Sequence, residues 1–171
     1  MIGYVSTKYA TRPLADAKGD VDRWVRFYPG IAGIFIDEQA SGADQILYYA
    51  ALYDYVRKEQ ALALVVSNPG TECAEEYVAR PAADVVCVLE AAKGFGAYQP
   101  PPWKDRYPAD RFAALLCKTG TSEEMKQTVR EMRANRIGYG FITDAGMPDP
   151  WARLPRYWEA EVEAVQQANP R

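Results

Sequence analysis

Six short apolar runs, each closed by polar residues, constrain this chain more than any other feature. They are IGYVS (2–6), GIFID (33–37), LALVVS (62–67), DVVCVLE (84–90), FAALLCK (112–118) and GYGFITD (138–144). The runs are continuous rather than alternating, which predicts parallel strands covered on both faces. Helical patterns lie between them. Val21, Trp24, Val25 and Tyr28 share one helix face, and Ile46, Tyr49, Ala50 and Tyr53 share another. Thr121 to Glu124 reads as a capping box, with Met125, Val129 and Met132 on one face behind it and Gly138 as the stop. LPRYWEAEVEAVQQA predicts a last helix with Pro155 near its first turn. Strand–helix units repeated without interruption predict an α/β fold. With no internal repeat and no linker, residues 1–171 are expected to form a single domain.

The strand endings bear on which α/β fold this is. They are Ser6 and Thr7, Asp37 and Glu38, Ser67 and Asn68, Glu90, Lys118, and Thr143 and Asp144. An open doubly wound sheet gathers its site at one switch point and uses only some strand ends. In a barrel, every C-terminal strand end opens on one mouth. Polar residues at all the endings favour a (β/α)8 barrel, although only six of its eight units can be counted. The plainer alternative is that the strands simply exit to solvent there.

Composition excludes several functions. The chain of 171 residues is 49% hydrophobic and 25% charged, enough for a domain with a core. A net charge of -3 without a basic cluster gives no sign of nucleic-acid binding. No apolar run reaches the roughly 20 residues that span a membrane. MIGYVSTKYA has no charged or long apolar segment of the kind a signal peptide carries. The chain has no histidine, which excludes Ser-His-Asp and Cys-His catalysis and histidine-based metal sites. Cys73, Cys87 and Cys117 lack zinc-like spacing, and free thiols are expected. The Gly94/Gly96 pair makes no nucleotide motif, so no cofactor and no metal are implied.

The chemistry left is that of carboxylates. Asp37 and Glu90 end strands two apart in sequence order, and across a barrel mouth such residues can face each other. Two facing carboxylates suit glycoside hydrolysis, one protonating the leaving oxygen while the other attacks the anomeric carbon or activates water. A pair of solvated acids at loop starts is an equally simple reading. Asp37 and Glu38 cannot both point inward unless the backbone turns between them. The segment GFGAYQPPPWKDRYP (94–108) carries Phe95, Tyr98, Trp103 and Tyr107, whose faces could stack on sugar rings or pin the loop to the body. KTGTS (118–122) lies at a helix N-terminus, where capping explains it more simply than phosphate binding. Lys118 would form a Schiff base only if buried; an ion pair is the commoner fate.

Several stretches resemble the spherulin 4-like family. They are GYVSTKYATRPL (3–14), DVDRWVRFYPGIAGIFIDE (20–38), YYAALYDYVR (48–57), VVSNPGT (65–71) and GYGFITDAGMPDPWARLPRYW (138–158), in the same order. The resemblance implies glycoside hydrolase family 135, related to family 114: (β/α)8 barrels that cut α-1,4-linked galactosamine or N-acetylgalactosamine polymers such as galactosaminogalactan in fungal matrix and biofilm. It implies Asp37 as nucleophile, Glu90 as general acid/base and Glu38 as a substrate-positioning residue. Asn68 becomes a substrate contact, with Tyr4, Tyr98, Trp103, Tyr139, Asp144 and Trp151 as further candidates. Against the family pattern this chain starts at the third barrel strand, so the first two strand–helix units are expected to be lacking. A fragment with an internal Met1, closure by dimerisation and a six-unit remnant without activity are the three readings of that. The open edges would offer surfaces for self-association. The family is commonly secreted, so an extracellular location is expected.

Overall fold

All six apolar runs form strands of one parallel sheet in the computed structural model, which describes every residue except Ala97 and residues 169–171. The elements are β1 (Ile2–Ser6), α1 (Leu14–Phe27), β2 (Gly33–Asp37), α2 (Ile46–Asp54), β3 (Leu64–Ser67), α3 (Glu76–Ala79), β4 (Val85–Ala92), β5 (Phe112–Cys117), α4 (Ser122–Ala134), β6 (Tyr139–Ile142) and α5 (Trp158–Ala168). Strand order follows sequence order, β1-β2-β3-β4-β5-β6. A doubly wound sheet reverses its order at a switch point, and this one never does; the succession is that of a (β/α) barrel sheet. β1 and β6 are edge strands, so the sheet is open. The chain divides into two compact units, Met1–Val88 and Leu89–Arg171, with β4 running through the boundary.

In the first unit β1, β2 and β3 pair in register, Tyr4 beside Phe35 and Phe35 beside Val66. Burial alternates along these strands, contrary to the expectation of two covered faces. Val5, Ile34, Ile36 and Val65 are buried, while Tyr4 is 52% exposed and Phe35 and Val66 are half-buried. Sealing each of those side chains contributes about 1.5–3 kcal/mol. The other face keeps Tyr4 and Phe35, stacked with ring centres 6.4 Å apart, within reach of solvent.

The second unit departs from the expected repeat. Among the described residues no α-helix lies between β4 and β5; there are two short 3-10 turns, Lys104–Arg106 and Ala109–Arg111. Gly94, Gly96 and the run Pro100–Pro102 explain this, since neither residue type sustains a helix. α4 does begin with the capping box: Thr121 Oγ accepts from Glu124 N at 3.2 Å, and the Glu124 carboxylate accepts from Thr121 N at 3.1 Å. Gly138 is not the helix stop, because Asn135 caps α4. A Cβ at Gly138 would lie 2.7 Å from the Ala109 carbonyl oxygen, so close backbone approach selects glycine there. Pro155 lies ahead of α5 and accepts from Trp158 N at 3.2 Å.

α5 lays the buried Glu161 against β6. One carboxylate oxygen accepts from Ile142 N at 3.2 Å, and the other has no partner among the described residues. Glu161 is one wall of a cavity of about 360 Å³ that Met132, Ile137 and Val165 also line. Burial raises the carboxyl from 4.5 to about 7, with the Ile142 N–H pulling weakly the other way. Between those pH values the folded chain keeps a proton that the unfolded chain has lost, so this group makes stability fall as pH rises through the window. Glu161→Gln is therefore expected to gain in Tm over the parent progressively from pH 4.5 to 7. Melting curves of the pair check this; a constant difference in Tm across that range would contradict it.

Candidate functional site

The C-terminal ends of β1, β2 and β3 bring several of the sequence candidates together. Asp37, the last residue of β2, is half-buried. Tyr4 OH donates to one of its carboxylate oxygens at 2.7 Å, and Asn68 Nδ2 donates to the other at 2.8 Å. Asp37 has no ion-pair partner among the described residues. Two neutral donors thus fix the plane of the carboxylate and leave its charge uncompensated. It sits on the same strand face as Phe35, two residues earlier, beside the Tyr4–Phe35 stack.

Glu38 follows at once, and the backbone turn that the sequence required is there. Its φ is 52°, a left-handed conformation that costs a residue with a Cβ about 1–2 kcal/mol. Ser6 Oγ donates to the Glu38 carboxylate. A buried polar scaffold holds the turn. Thr7 Oγ1 donates to the Glu38 carbonyl at 2.9 Å and meets Tyr49 OH at 2.9 Å, and Tyr49 OH accepts from Ala40 N at 2.8 Å. Gln39 N donates to the Asn68 carbonyl at 3.0 Å, and Ser67 Oγ donates to the Gln39 side-chain oxygen. Tyr49 and Gln39 were not sequence candidates. Tyr49 lies on a predicted apolar helix face, and nothing local shows that its hydroxyl reaches a strand end.

The remaining candidates lie in the second unit. Glu90 is exposed on β4. Trp103 packs edge-on against Tyr107, 6.0 Å between centroids, and against Phe112 at 6.2 Å. Tyr98 packs edge-on against Phe95 at 5.6 Å. These contacts pin the loop through its own aromatics. Trp151 meets Phe141 at 6.1 Å. Arg153 grips the Asp144 carboxylate bidentately at 2.9 and 3.0 Å and holds it below the usual carboxylate range. Tyr139 is the first residue of β6, not near its C-terminal end, and it lines the Glu161 cavity. Lys118 is exposed and has no ion pair among the described residues, against the sequence expectation. All three cysteines are free, and burial pushes the Cys73 thiol up to about 12, far from a nucleophile's range.

Three comparisons bear on this arrangement. A family model described as Spherulation-specific family 4 matches residues 1–165. Spherulin-4 of Physarum polycephalum is 37% identical over 79 residues, an alignment that takes in 46% of this chain and 24% of Spherulin-4. The crystal structure of Aspergillus clavatus Sph3 in complex with GalNAc superposes with a TM-score of 0.75 at 24% identity, over 98% of this chain and 72% of Sph3. No helix among the described residues is long and apolar enough to cross a membrane.

Proposed function

This chain belongs to spherulation-specific family 4, and on that premise we propose that it is a glycoside hydrolase acting on α-1,4-linked galactosamine or N-acetylgalactosamine polysaccharide with retention of configuration. The observation that carries the proposal is the Asp37 carboxylate, oriented by Tyr4 and Asn68 at a strand end beside an exposed aromatic stack. A nucleophile needs a lone pair aimed in one direction and free of a cation, and that carboxylate has both properties. The GalNAc bound to Sph3 supports an amino-sugar ligand.

In the proposed reaction, an Asp37 oxygen attacks the anomeric carbon and forms a glycosyl ester. The glycosidic bond breaks as Glu90, assigned the acid role by the family pattern, gives its proton to the departing oxygen. Water then attacks the same carbon, Glu90 takes its proton, and the Asp37 carboxylate is regenerated. Glu38, displayed on its left-handed turn, positions the sugar. Tyr4 and Asn68 keep the attacking oxygen aligned, and the Tyr4 and Phe35 rings offer a face for the pyranose. A second reading, a sugar-binding module without turnover, draws on the same exposed stack.

New reducing ends distinguish the two. Incubation with a galactosaminogalactan polymer is expected to release them, and Glu90→Gln is expected to stop the release. Binding of the polymer with no new ends would establish the module in place of the hydrolase.

A further inference from the structure

Asp37 and Glu38 are neighbours in the chain, and neighbours on a strand face opposite ways. Tyr4 and Ser6 are two apart on β1, so their side chains share one face. Tyr4 OH donates to Asp37, and Ser6 Oγ donates to Glu38. Both carboxylates therefore lie on one face of the sheet. The left-handed φ of 52° at Glu38 is what brings the second one round.

A glutamate does not favour that conformation, so its surroundings must hold it. The Glu38 carbonyl accepts from Tyr9 N at 2.7 Å and from Thr7 Oγ1 at 2.9 Å. Proton supply sets the direction of the bonds behind it. A carbonyl only accepts, so Thr7 uses its single proton on the turn. The 2.9 Å contact between Thr7 Oγ1 and Tyr49 OH must then be donated by Tyr49. Ala40 N can only donate, and Tyr49 OH accepts from it at 2.8 Å. In the alternative wiring Tyr49 donates straight to the Glu38 carbonyl, but that contact is 3.5 Å and loses to the shorter route. The hydrogen bonds thus run one way, from Ala40 N–H through Tyr49 and Thr7 to the Glu38 carbonyl, and they join the two ends of the turn.

Tyr49 is fixed independently of the turn it serves. It is fully buried on α2, with its ring edge-on to Tyr48 at 5.1 Å and to Tyr77 at 5.5 Å. Burial raises its phenol above the ordinary tyrosine value, so the hydroxyl keeps its proton at neutral pH. We propose that Tyr49 is a positioning residue: through Thr7 it locks Glu38 in the left-handed turn and so keeps Glu38 on the same face as Asp37. Its effect on turnover rests on the glycosidase reading of the Asp37 site; its effect on the turn does not.

Tyr49→Phe keeps the packed ring and removes the hydroxyl. The Cα and Cβ NMR shifts of Glu38, which report its backbone conformation without substrate, are expected to move toward extended values. Release of reducing ends from the polymer, assayed well below the melting range, is expected to fall about tenfold in kcat/KM. In a Glu38→Ala background the same substitution is expected to cost less than about twofold, because the group it positions is gone. A loss of packing alone would instead carry over in full. Thr7→Val removes the next hydroxyl in the chain and is expected to reproduce both effects should Tyr49→Phe not fold, while Thr7→Ser recovers most of the loss. Unmoved Glu38 shifts, parental release by the folded variants, or an equal loss in the Glu38→Ala background would overturn the proposal. Moved shifts in a chain whose parent releases no reducing ends would uphold the positioning and overturn the hydrolase reading.

Discussion

Asp37→Asn is expected to lower polymer hydrolysis by about 10³-fold or more while the chain stays folded and still binds glycan. The carboxylate takes one hydrogen bond on each oxygen, from Tyr4 and from Asn68. Asparagine offers one acceptor oxygen and sets an NH₂ against the other donor. The Tyr4 hydroxyl can rotate and accept instead, so the structural cost is expected to be about 1 kcal/mol. What is lost is the anionic oxygen that forms the glycosyl ester in the proposed reaction. Reducing-end release, Tm and glycan affinity measured on the same samples separate these effects. Near-parental release from a folded variant would remove Asp37 from the mechanism.

Lys104→Met is expected to have the largest effect on stability, a loss of about 2–4 kcal/mol. Lys104 is 1% exposed, and its ammonium donates to the Asn135 and Arg136 carbonyls just past the end of α4. It also lies 4.5 Å from the centre of the Phe112 ring. The cation thus caps the negative end of the helix macrodipole and ties the long loop after β4 to α4. Methionine fills much of the space but leaves buried carbonyls without a donor. For a chain of this size the loss corresponds to a drop in Tm of about 5–15 °C. Burial lowers the Lys104 amine from 10.5 to about 8, so at pH values between these the unfolded chain binds the extra proton. This group therefore makes stability rise with pH across that window, and the variant should lack the rise. Unchanged melting of Lys104→Met would show that the loop is held by its aromatics alone.

The strands were legible because each is a continuous apolar run of fitting length, and α4 because its capping box is a local pattern. The uniformly polar endings also favoured a barrel sheet over a doubly wound one, and a barrel sheet runs in sequence order. What could not be read depends on contacts remote in sequence. The burial of one face of β1–β3 alone reflects which neighbours cover the sheet, and composition does not carry that information. Nothing in the motif that made Asp144 a candidate shows that Arg153 folds back on it. Lys104 looks like a surface lysine in a proline-rich loop, and only the fold reveals the helix end it caps. Tyr139 was placed by its motif, which does not say at which end of the strand the ring lies. Asp37 and Glu38 are the opposite case. The abrupt change from GIFI to two acids marked a special strand end, and alternation along a strand demanded a turn. The φ of Glu38 supplies that turn.

The most direct test of the retaining mechanism is the mass of Glu90→Gln during turnover of an activated α-N-acetylgalactosaminyl fluoride. Fluoride leaves without acid assistance, so formation of the ester proceeds while its hydrolysis is slowed for want of the base. A covalent adduct of one N-acetylgalactosaminyl unit is expected, mapped by proteolysis to the peptide containing Asp37. Steady turnover with no adduct, or an adduct on any other carboxylate, would contradict it.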